Sequence, residues 1–466
     1  MHYVSPGTTS DPNPLDQQRA DAEGMSTAES SAAATAGSGE SLPGLPRILA
    51  RPEHNVSRSS IWENALKVLY RLHRSGYQAH LVGGSVRDLL LGREPKDYDV
   101  ATDATPEEVR DVFRNCRLIG RRFRLAHVYF KDGVVEVATF RGSGSDPDGE
   151  AKKRSEDGMI LRDNVYGSLE EDACRRDFTV NALYYSIADF SVLDYVGGAD
   201  DLRAGRVRLI GDPEQRYCED PVRMLRAVRF AAKLGFFIEA GTAAPIPSMS
   251  SLLEGVPPAR LFEEVNKLFL AGNGVTTYQM LRRFRLFERL FPETADLLSE
   301  EGDHFPHTFL TRVLEDTDRR GAQDLPGTPA FLFAALLWHP LEQERRALEG
   351  EGMAPDDAMQ KAASEVLRLQ TGRVAMPKRF SQGAREIWSL QARMERARGK
   401  RALRLLGHPR FRAAFDFLMA RGRSGEADPD LVAWWQDLVD TPSGKRPAKL
   451  GLKSGGGKGR SGQESA

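Results

Sequence analysis

Cysteine is scarce in this chain: three residues in 466, Cys116, Cys174 and Cys218, lie far apart with no Cys-x-x-Cys spacing. That excludes a disulfide framework and a zinc knuckle and leaves three ordinary reduced thiols. No apolar run approaches the length of a membrane span, and the N-terminus lacks the basic region and hydrophobic core of a secretory signal. The expectation is a soluble cytoplasmic protein without a membrane span. An excess of charge is missing too. With 65 Lys and Arg against 66 Asp and Glu, any attraction to nucleic acid has to come from local patches.

Residues 1 to about 45 are rich in Ser, Ala, Gly, Pro and Thr and have no apolar periodicity, so they read as disordered, within an extension of 1–58. From Ile61 the pattern turns helical, with Trp62, Leu66, Leu69 and His73 on one stripe. Strands are expected at Gln78 to Val82 and Asp97 to Ala101, and a helix from Thr105 with Pro106 at its first position. A hairpin follows at Ala126 to Phe130 and Val134 to Phe140, turning at Lys131-Asp-Gly133. Gly142 to about Asp157 is polar and Gly-rich, as in a mobile insertion. Short strands at Tyr184 to Ile187, Ser191 to Val196 and Arg206 to Ile210 complete an α/β head over 59–212. Beyond Pro213 helical patterns dominate, for example Pro257 to Leu270, Thr276 to Leu290 and Pro329 to Trp338. They make an all-α neck (213–300) and body (301–440), before a disordered tail (441–466) with six Lys or Arg and one Glu.

Chemistry concentrates in three clusters. In Leu81-Val-Gly-Gly-Ser-Val-Arg-Asp88 and Lys96-Asp-Tyr-Asp-Val100, the i, i+2 spacing projects Asp97 and Asp99 from one face of a strand, where they can share divalent cations. Gly83-Gly84 removes side-chain bulk so that backbone amides can approach a triphosphate, with Arg87 supplying positive charge. The second cluster, Glu170-Glu-Asp-Ala-Cys-Arg-Arg-Asp-Phe-Thr-Val-Asn-Ala182, offers Asp177 as a third acid and Asn181 as a sugar-hydroxyl partner, with Arg175 and Arg176 facing phosphates. Glu136, alternating with apolar residues on its strand, is the rival third carboxylate, and spacing does not choose between the two.

The third cluster, Cys218-Glu-Asp-Pro-Val-Arg-Met-Leu-Arg-Ala-Val-Arg-Phe-Ala-Ala232, reads as a helix with Asp220 as N-cap and Pro221 at its first position. Its apolar stripe leaves Arg223 and Arg226 on the opposite side, open to a ligand. Asp220 accepts hydrogen bonds and Arg223 only donates them. The pair therefore complements a base edge with an amino group beside an unprotonated ring nitrogen, which adenine and cytosine both offer. ATP or CTP is the result, and these residues do not separate the two.

In this order the clusters resemble the class II nucleotidyltransferases, the tRNA CCA-adding enzymes and bacterial poly(A) polymerases, over roughly residues 60 to 300. Leu118-Ile-Gly-Arg-Arg-Phe-Arg-Leu-Ala-His-Val128, Asn181-Ala-Leu-Tyr-Tyr and Pro257-Pro-Ala-Arg-Leu-Phe-Glu-Glu264 are similar to the polymerase branch. The resemblance implies an α/β nucleotidyltransferase head with a small mixed sheet, two Mg²⁺ ions (or Mn²⁺) on Asp97 and Asp99, and Asp177 over Glu136 as the third active-site carboxylate. It implies base reading by Asp220 and Arg223, and AMP addition from ATP to RNA 3′ ends with release of pyrophosphate, promoting RNA turnover. Gly83, Gly84, Arg87, Asp88, Arg176, Asn181, Asp220, Arg223 and Arg226 form the nucleotide-binding set. A monomer working beside RNA-degradation machinery is expected. The alternatives are a CCA-adding enzyme and an RNA-binding protein that has lost catalysis.

Residues 373 to 404 hold ten Lys or Arg and two acids, with Trp388 on the same pattern. This is either a solvated helical face or an RNA track through Arg393, Arg396, Arg398, Lys400 and Arg401. Arg110, Arg114, Arg117, Arg121 and Arg122 of the head are the second candidate track. Asp303, His304 and His307 suggest a metal site, but no second His-Asp pair at suitable spacing supports a hydrolase.

Overall fold

A computed structural model describes residues 45–120, 124–142, 152–154, 160–163, 165–299, 306–325 and 327–446. The head is built on β2 (Ala79–Val82), whose four residues are all buried, so that neither face meets water. It lies antiparallel to β3 (Asp99–Thr102) and to β7 (Leu183–Ser186). On the far side of β3, β6 (Gly133–Thr139) runs parallel to it, then β5 (Leu125–Phe130) and β4 (Cys116–Ile119) run antiparallel in turn. On the other side, β8 (Val192–Asp194) follows β7, and β1 (Arg47–Leu49) closes the edge. The order β1-β8-β7-β2-β3-β6-β5-β4 makes the expected mixed sheet, eight strands wide.

The expected hairpin is β5 and β6, with Phe130 opposite Gly133. Gly133 has a packing reason to be glycine: an added Cβ would lie 2.8 Å from the Trp62 ring. Helix α1 (Glu63–Arg74) buries Ala65, Val68, Leu69 and Leu72, so the stripe is rotated from the one expected and His73 is exposed. Trp62 caps that helix and packs its ring on Tyr98 and Phe130 instead. Helix α2 (Gly84–Leu90) follows β2 directly, and α3 (Pro106–Val112) starts at Thr105 through a capping box with Glu108.

Five expectations are corrected. The extension of 1–58 is not disordered throughout, because β1 pairs with β8 and Arg47 reaches Asp200 at 2.8 Å; a three-residue strand carries too little periodicity to be read locally. Residues 1–44 lie outside the described part. The strand bearing the aspartates begins at Asp99, so Asp97 precedes it. Of the polar insertion expected from Gly142 to about Asp157, Lys152–Arg154 pairs with Ile160–Asp163 just beyond it as a two-stranded ribbon, while 143–151 and 155–159 are outside the described residues. Arg206–Val207 belongs to a separate parallel pair with Phe237–Ile238. In the tail, Arg446 donates to the carbonyls of Thr441 and Val439, which orders its first turn; the rest is not described.

Past the last strand of the sheet the described chain is helical apart from the Arg206–Val207 and Phe237–Ile238 pair and the connecting turns. Helices α4 (Leu169–Cys174), α5 (Pro213–Glu219), α6 (Val222–Leu234) and α7 (Pro258–Phe269) surround the site. Helix α8 (Pro329–Leu336), α9 (Lys378–Arg396), α10 (Phe411–Arg423) and α11 (Pro429–Asp440) belong to the body. One contiguous apolar core runs from Leu49 in the head to Ala420 in the body, and a second holds α11 against α9 and α10. The neck is thus packed as interior, which fixes the geometry between sheet and helices.

Candidate active site

Parallel pairing of β3 with β6 sets Asp99 directly opposite Glu136. Neighbouring positions across a sheet share a face, so two carboxylates are forced together. Burial, with repulsion from Glu136 and Asp97 behind it, pushes Asp99 up to about 6 against the opposing pull of Arg176. Glu136 accepts a hydrogen bond from Nε2 of His127 at 3.1 Å. Asp99 and Glu136 line a cleft of about 270 Å³ with Arg141, Asp172, Arg175 and Arg176. Asp97 is exposed and lines a different cavity, of about 440 Å³, with Lys96 and Asp132.

The glycine turn has a steric cause. Gly83 has φ +77° and ψ −133°, a conformation that side-chain-bearing residues rarely adopt. A Cβ there would sit 3.7 Å from Nη1 of Arg176 and 3.9 Å from Oδ2 of Asp99, so the turn brings backbone to the carboxylates and the cation at once. Arg176 is held from behind. Its Nε and Nη2 donate to Asp172 Oδ2 at 3.1 and 2.8 Å, and its Nε to the Tyr184 hydroxyl at 2.8 Å, which in turn donates to Asp172 at 2.7 Å. Burial pushes the Asp172 carboxyl up, but Arg176 and the Tyr184 hydroxyl outweigh it and hold it below the usual range. The guanidinium is locked with one edge toward the cleft.

Arg87 does not reach the cleft. It is 2 % exposed, donates from Nη1 to Asn181 Oδ1 at 2.6 Å and from Nε to Asp88 Oδ1 at 2.8 Å, and lies over the Phe230 ring. Its expected charge on a triphosphate is corrected to a buried brace, with Asp88 as its counter-ion. Asn181 is likewise buried, contacting Asp177 Oδ1 at 3.4 Å, so its amide is turned to the brace and not to a sugar. Asp177 sits at the far end of this chain, receiving Arg226 on Oδ2 and the Phe178 amide on Oδ1 at 2.8 Å. Burial raises its pKa, but Arg226 and the hydrogen bonds carry it below the usual range. Glu136, not Asp177, is therefore the carboxylate beside Asp99. The resemblance favoured Asp177; the strand carrying Glu136 was expected, but its pairing with the aspartate strand could not be read locally.

The base-reading pair also differs from expectation. Helix α6 begins at Val222 with Pro221 as its cap, one residue later than read, though Asp220 Oδ1 still accepts the Val222 amide at 3.3 Å. Arg260 of α7 grips Asp220 with two parallel bonds, Nη1 to Oδ1 at 2.8 Å and Nη2 to Oδ2 at 2.7 Å. Arg223 donates from Nη1 to the Arg216 carbonyl at 2.7 Å and to Glu219 at 3.2 Å, and Arg226 is committed to Asp177. Neither arginine is the unoccupied cation that the helical wheel suggested. Arg216 continues the network, donating to the carbonyls of Arg175 and Arg176 at 2.6 and 2.5 Å and so tying α5 to the loop that carries Arg176.

Comparison with known proteins gives the family. Residues 79–208 match the poly A polymerase head domain, 235–298 the probable RNA and SrmB-binding site of polymerase A, and 351–461 the polymerase A arginine-rich C-terminus. Poly(A) polymerase I of Salmonella typhimurium is 54% identical over 396 residues, covering 84% of this chain and 85% of that one. The chain belongs to the poly(A) polymerase I family. The Haemophilus influenzae member is 47% identical over 394 residues, whereas the CCA-adding enzyme of Bacillus pumilus is 36% identical over 252 residues, 54% of this chain and 61% of that one. Among solved structures, the Bacillus stearothermophilus CCA-adding enzyme in complex with CTP has a TM-score of 0.53 at 26% identity, covering 84% of this chain and 83% of that one.

For a poly(A) polymerase family member, the arginine-rich stretch is the natural place to look for RNA contacts. The structure divides it. Trp388 is fully buried, donating from its indole to the Ala334 carbonyl at 3.0 Å, so its place on the basic pattern is corrected to a core anchor. Arg396 is paired with Asp356, and Arg398 stacks over Trp434 while donating to the carbonyls of Glu395 and Ala397. Arg393, Lys400 and Arg401 are exposed. In the head, Arg110 faces Asp111, Arg117 lies over Tyr129 and Arg114 is exposed; Arg121 and Arg122, like Asp303, His304 and the side chain of His307, are outside the described residues. Among the described residues no three His, Cys, Asp or Glu form a group that could hold a metal ion, and no helix is long and apolar enough to cross a membrane.

Missed from sequence were Asp172, Tyr184, Arg216, Glu219 and Arg260. Asp172 had a signal, since it precedes Arg176 by one helical turn. Arg260 had none, forty residues from its partner in the chain.

Proposed function

We propose that the chain adds AMP from ATP to RNA 3′ ends without a template, using the Asp99–Glu136–Arg176 cleft as its reaction centre. The observation that carries the reading is the 54% identity to a poly(A) polymerase I over 84% of the chain. In the reaction the RNA 3′-hydroxyl oxygen bonds to the α-phosphorus as the bond to the bridging oxygen breaks, the hydroxyl proton is released, and pyrophosphate leaves. No covalent enzyme intermediate is needed.

The donor set suits a hard divalent cation such as Mg²⁺. Asp99 and Glu136 crowd negative charge at one end of the cleft, and Mg²⁺ is characteristically bound by one or two carboxylates together with substrate phosphates. Asp97 and Asp99 are the proposed ligands. Such an ion, when bound, supplies charge stabilisation to the attacking and leaving oxygens.

The protein's own contributions follow from its side chains. Arg176, fixed by Asp172 and Tyr184, orients the triphosphate against the Gly83 backbone without reorganising. The buried run Asp88, Arg87, Asn181, Asp177 and Arg226 holds the head against α6 and sets the distance from the cleft to the base reader. Asp220 accepts from the adenine amino group and Arg223 donates to its ring nitrogen. Both have to exchange present partners to do so. A head of 59–212, neck of 213–300 and body of 301–440 is the functional division that goes with this reading, as are monomeric action, a cytoplasmic location and RNA-degradation machinery as a partner.

The test is incubation with Mg²⁺, one labelled nucleotide at a time and two RNAs. Long ladders from ATP on a generic RNA support the reading. Stepwise addition of C, C and A to a truncated tRNA would replace it with the CCA-adding activity, and tight RNA binding without incorporation with a catalytically silent binder.

A further inference from the structure

One basic cavity lies outside the head. A cleft of about 600 Å³ opens in the body between the helix Pro306–Gly321, the start of α8, and α10 and α11. Five arginines line it, Arg319, Arg320, Arg410, Arg412 and Arg423, against Asp316, Asp416 and Asp440, so it carries net positive charge. The aspartates act as clamps. Asp316 is shared by Arg319 and Arg423, and Asp416 by Arg320 at 2.8 Å and Arg412 at 3.0 Å, so each guanidinium is oriented by one acid and keeps further N–H donors. Between the charges the wall is apolar, with Phe331, Phe415 and Met419 lining it and the Arg412 guanidinium over the Phe415 ring.

We propose that this cleft is a subsite for single-stranded RNA, seating a base against the Phe331–Phe415–Met419 wall while the arginines contact the flanking phosphates. The inference rests on the RNA-extending reading above and places part of the RNA path on α10, away from the Arg393–Arg401 cluster. Two features favour RNA. Alternating fixed cations suit a phosphate backbone, and an aromatic and thioether wall suits the π-face that every base presents. An acidic peptide matches the charges and leaves the wall without a partner of its own kind.

The full chain with Arg320→Gln and Arg412→Gln, and separately with Arg412→Glu at a position 74% exposed, tests this. Fluorescence anisotropy with labelled oligoadenylate reads affinity against salt. The expected result is a roughly tenfold weaker Kd, with the slope of log K against log salt smaller by about two in the double variant. In steady state KM for RNA rises while KM for ATP and kcat at saturating RNA hold. Abasic oligonucleotide of equal length binds less tightly than oligoadenylate to the parent chain. Unchanged Kd and slope in both variants, with unchanged melting, overturns the proposal, as does competition by polyglutamate at equal charge concentration. A parent chain that binds oligoadenylate through these arginines yet never extends it fails the polymerase reading and leaves the subsite standing.

Discussion

Arg260 is the residue least visible locally, and on the proposed reading it bears directly on selectivity. By gripping both oxygens it aims the Asp220 carboxylate, and on the proposed reading one of the two bonds gives way to the base amino group while the other keeps the carboxylate in place. Arg260→Ala should therefore weaken discrimination of ATP against UTP and GTP by roughly 1 to 3 kcal/mol, about the value of one buried polar contact, with little loss of folding. Competition between labelled nucleotides measures it; undiminished preference would remove Arg260 from base selection. His80 makes a different prediction. Burial beside Phe140 and Tyr184 lowers its pKa to about 4, below the 6.5 of an unfolded histidine. The unfolded chain then binds more protons, so His80 costs nothing above pH 6.5 and costs stability progressively from pH 6.5 down to 4, by about 3 kcal/mol at most. Denaturant titrations of the His80→Phe variant should show a flatter acid limb, and an identical limb would contradict this.

At the scale of elements, the strand pair β3 and β6 carries the site. The Asp-x-Asp spacing was legible as two acids on one face, because alternation needs only one strand. Which acid stood opposite was not, because register with a strand over thirty residues away is set by the whole sheet; hence Glu136 and Asp177 stayed undecided from spacing. Helix α6 shows the same limit. Its apolar stripe was read correctly, with Met224, Leu225, Val228, Ala231 and Ala232 buried, while Arg223 and Arg226 found partners on other elements. The turn between β5 and β6 was legible as Lys-Asp-Gly, but the reason for glycine lies in Trp62. Gly133→Ala should cost about 1 to 3 kcal/mol by pushing a methyl group against that ring, read as a lower melting temperature. Trp62→Ala should restore tolerance of alanine at 133 in a double-mutant cycle, and additive losses would argue against the contact.

Over the whole molecule, the α/β head and helical body were legible because periodicity changes from two to 3.6 near Pro213. The contiguous core that joins them was not, since nothing local marks a helix face as packing on a distant sheet. The networks from Asp88 to Arg226 and around Arg216 and Arg260 lie where the head meets the neck helices, and on the proposed reading they tie the reaction cleft to the base reader through buried charge. The direct test of the account combines both ends: the purified full chain with Mg²⁺ and a generic RNA, offered each labelled nucleotide separately, beside its Asp99→Ala variant. The account predicts long ladders from ATP alone and loss of incorporation by at least a thousandfold in a variant that melts like the parent, about 4 kcal/mol of transition-state stabilisation. Near-parental ladders from Asp99→Ala, or equal use of all four nucleotides by the parent, would contradict it.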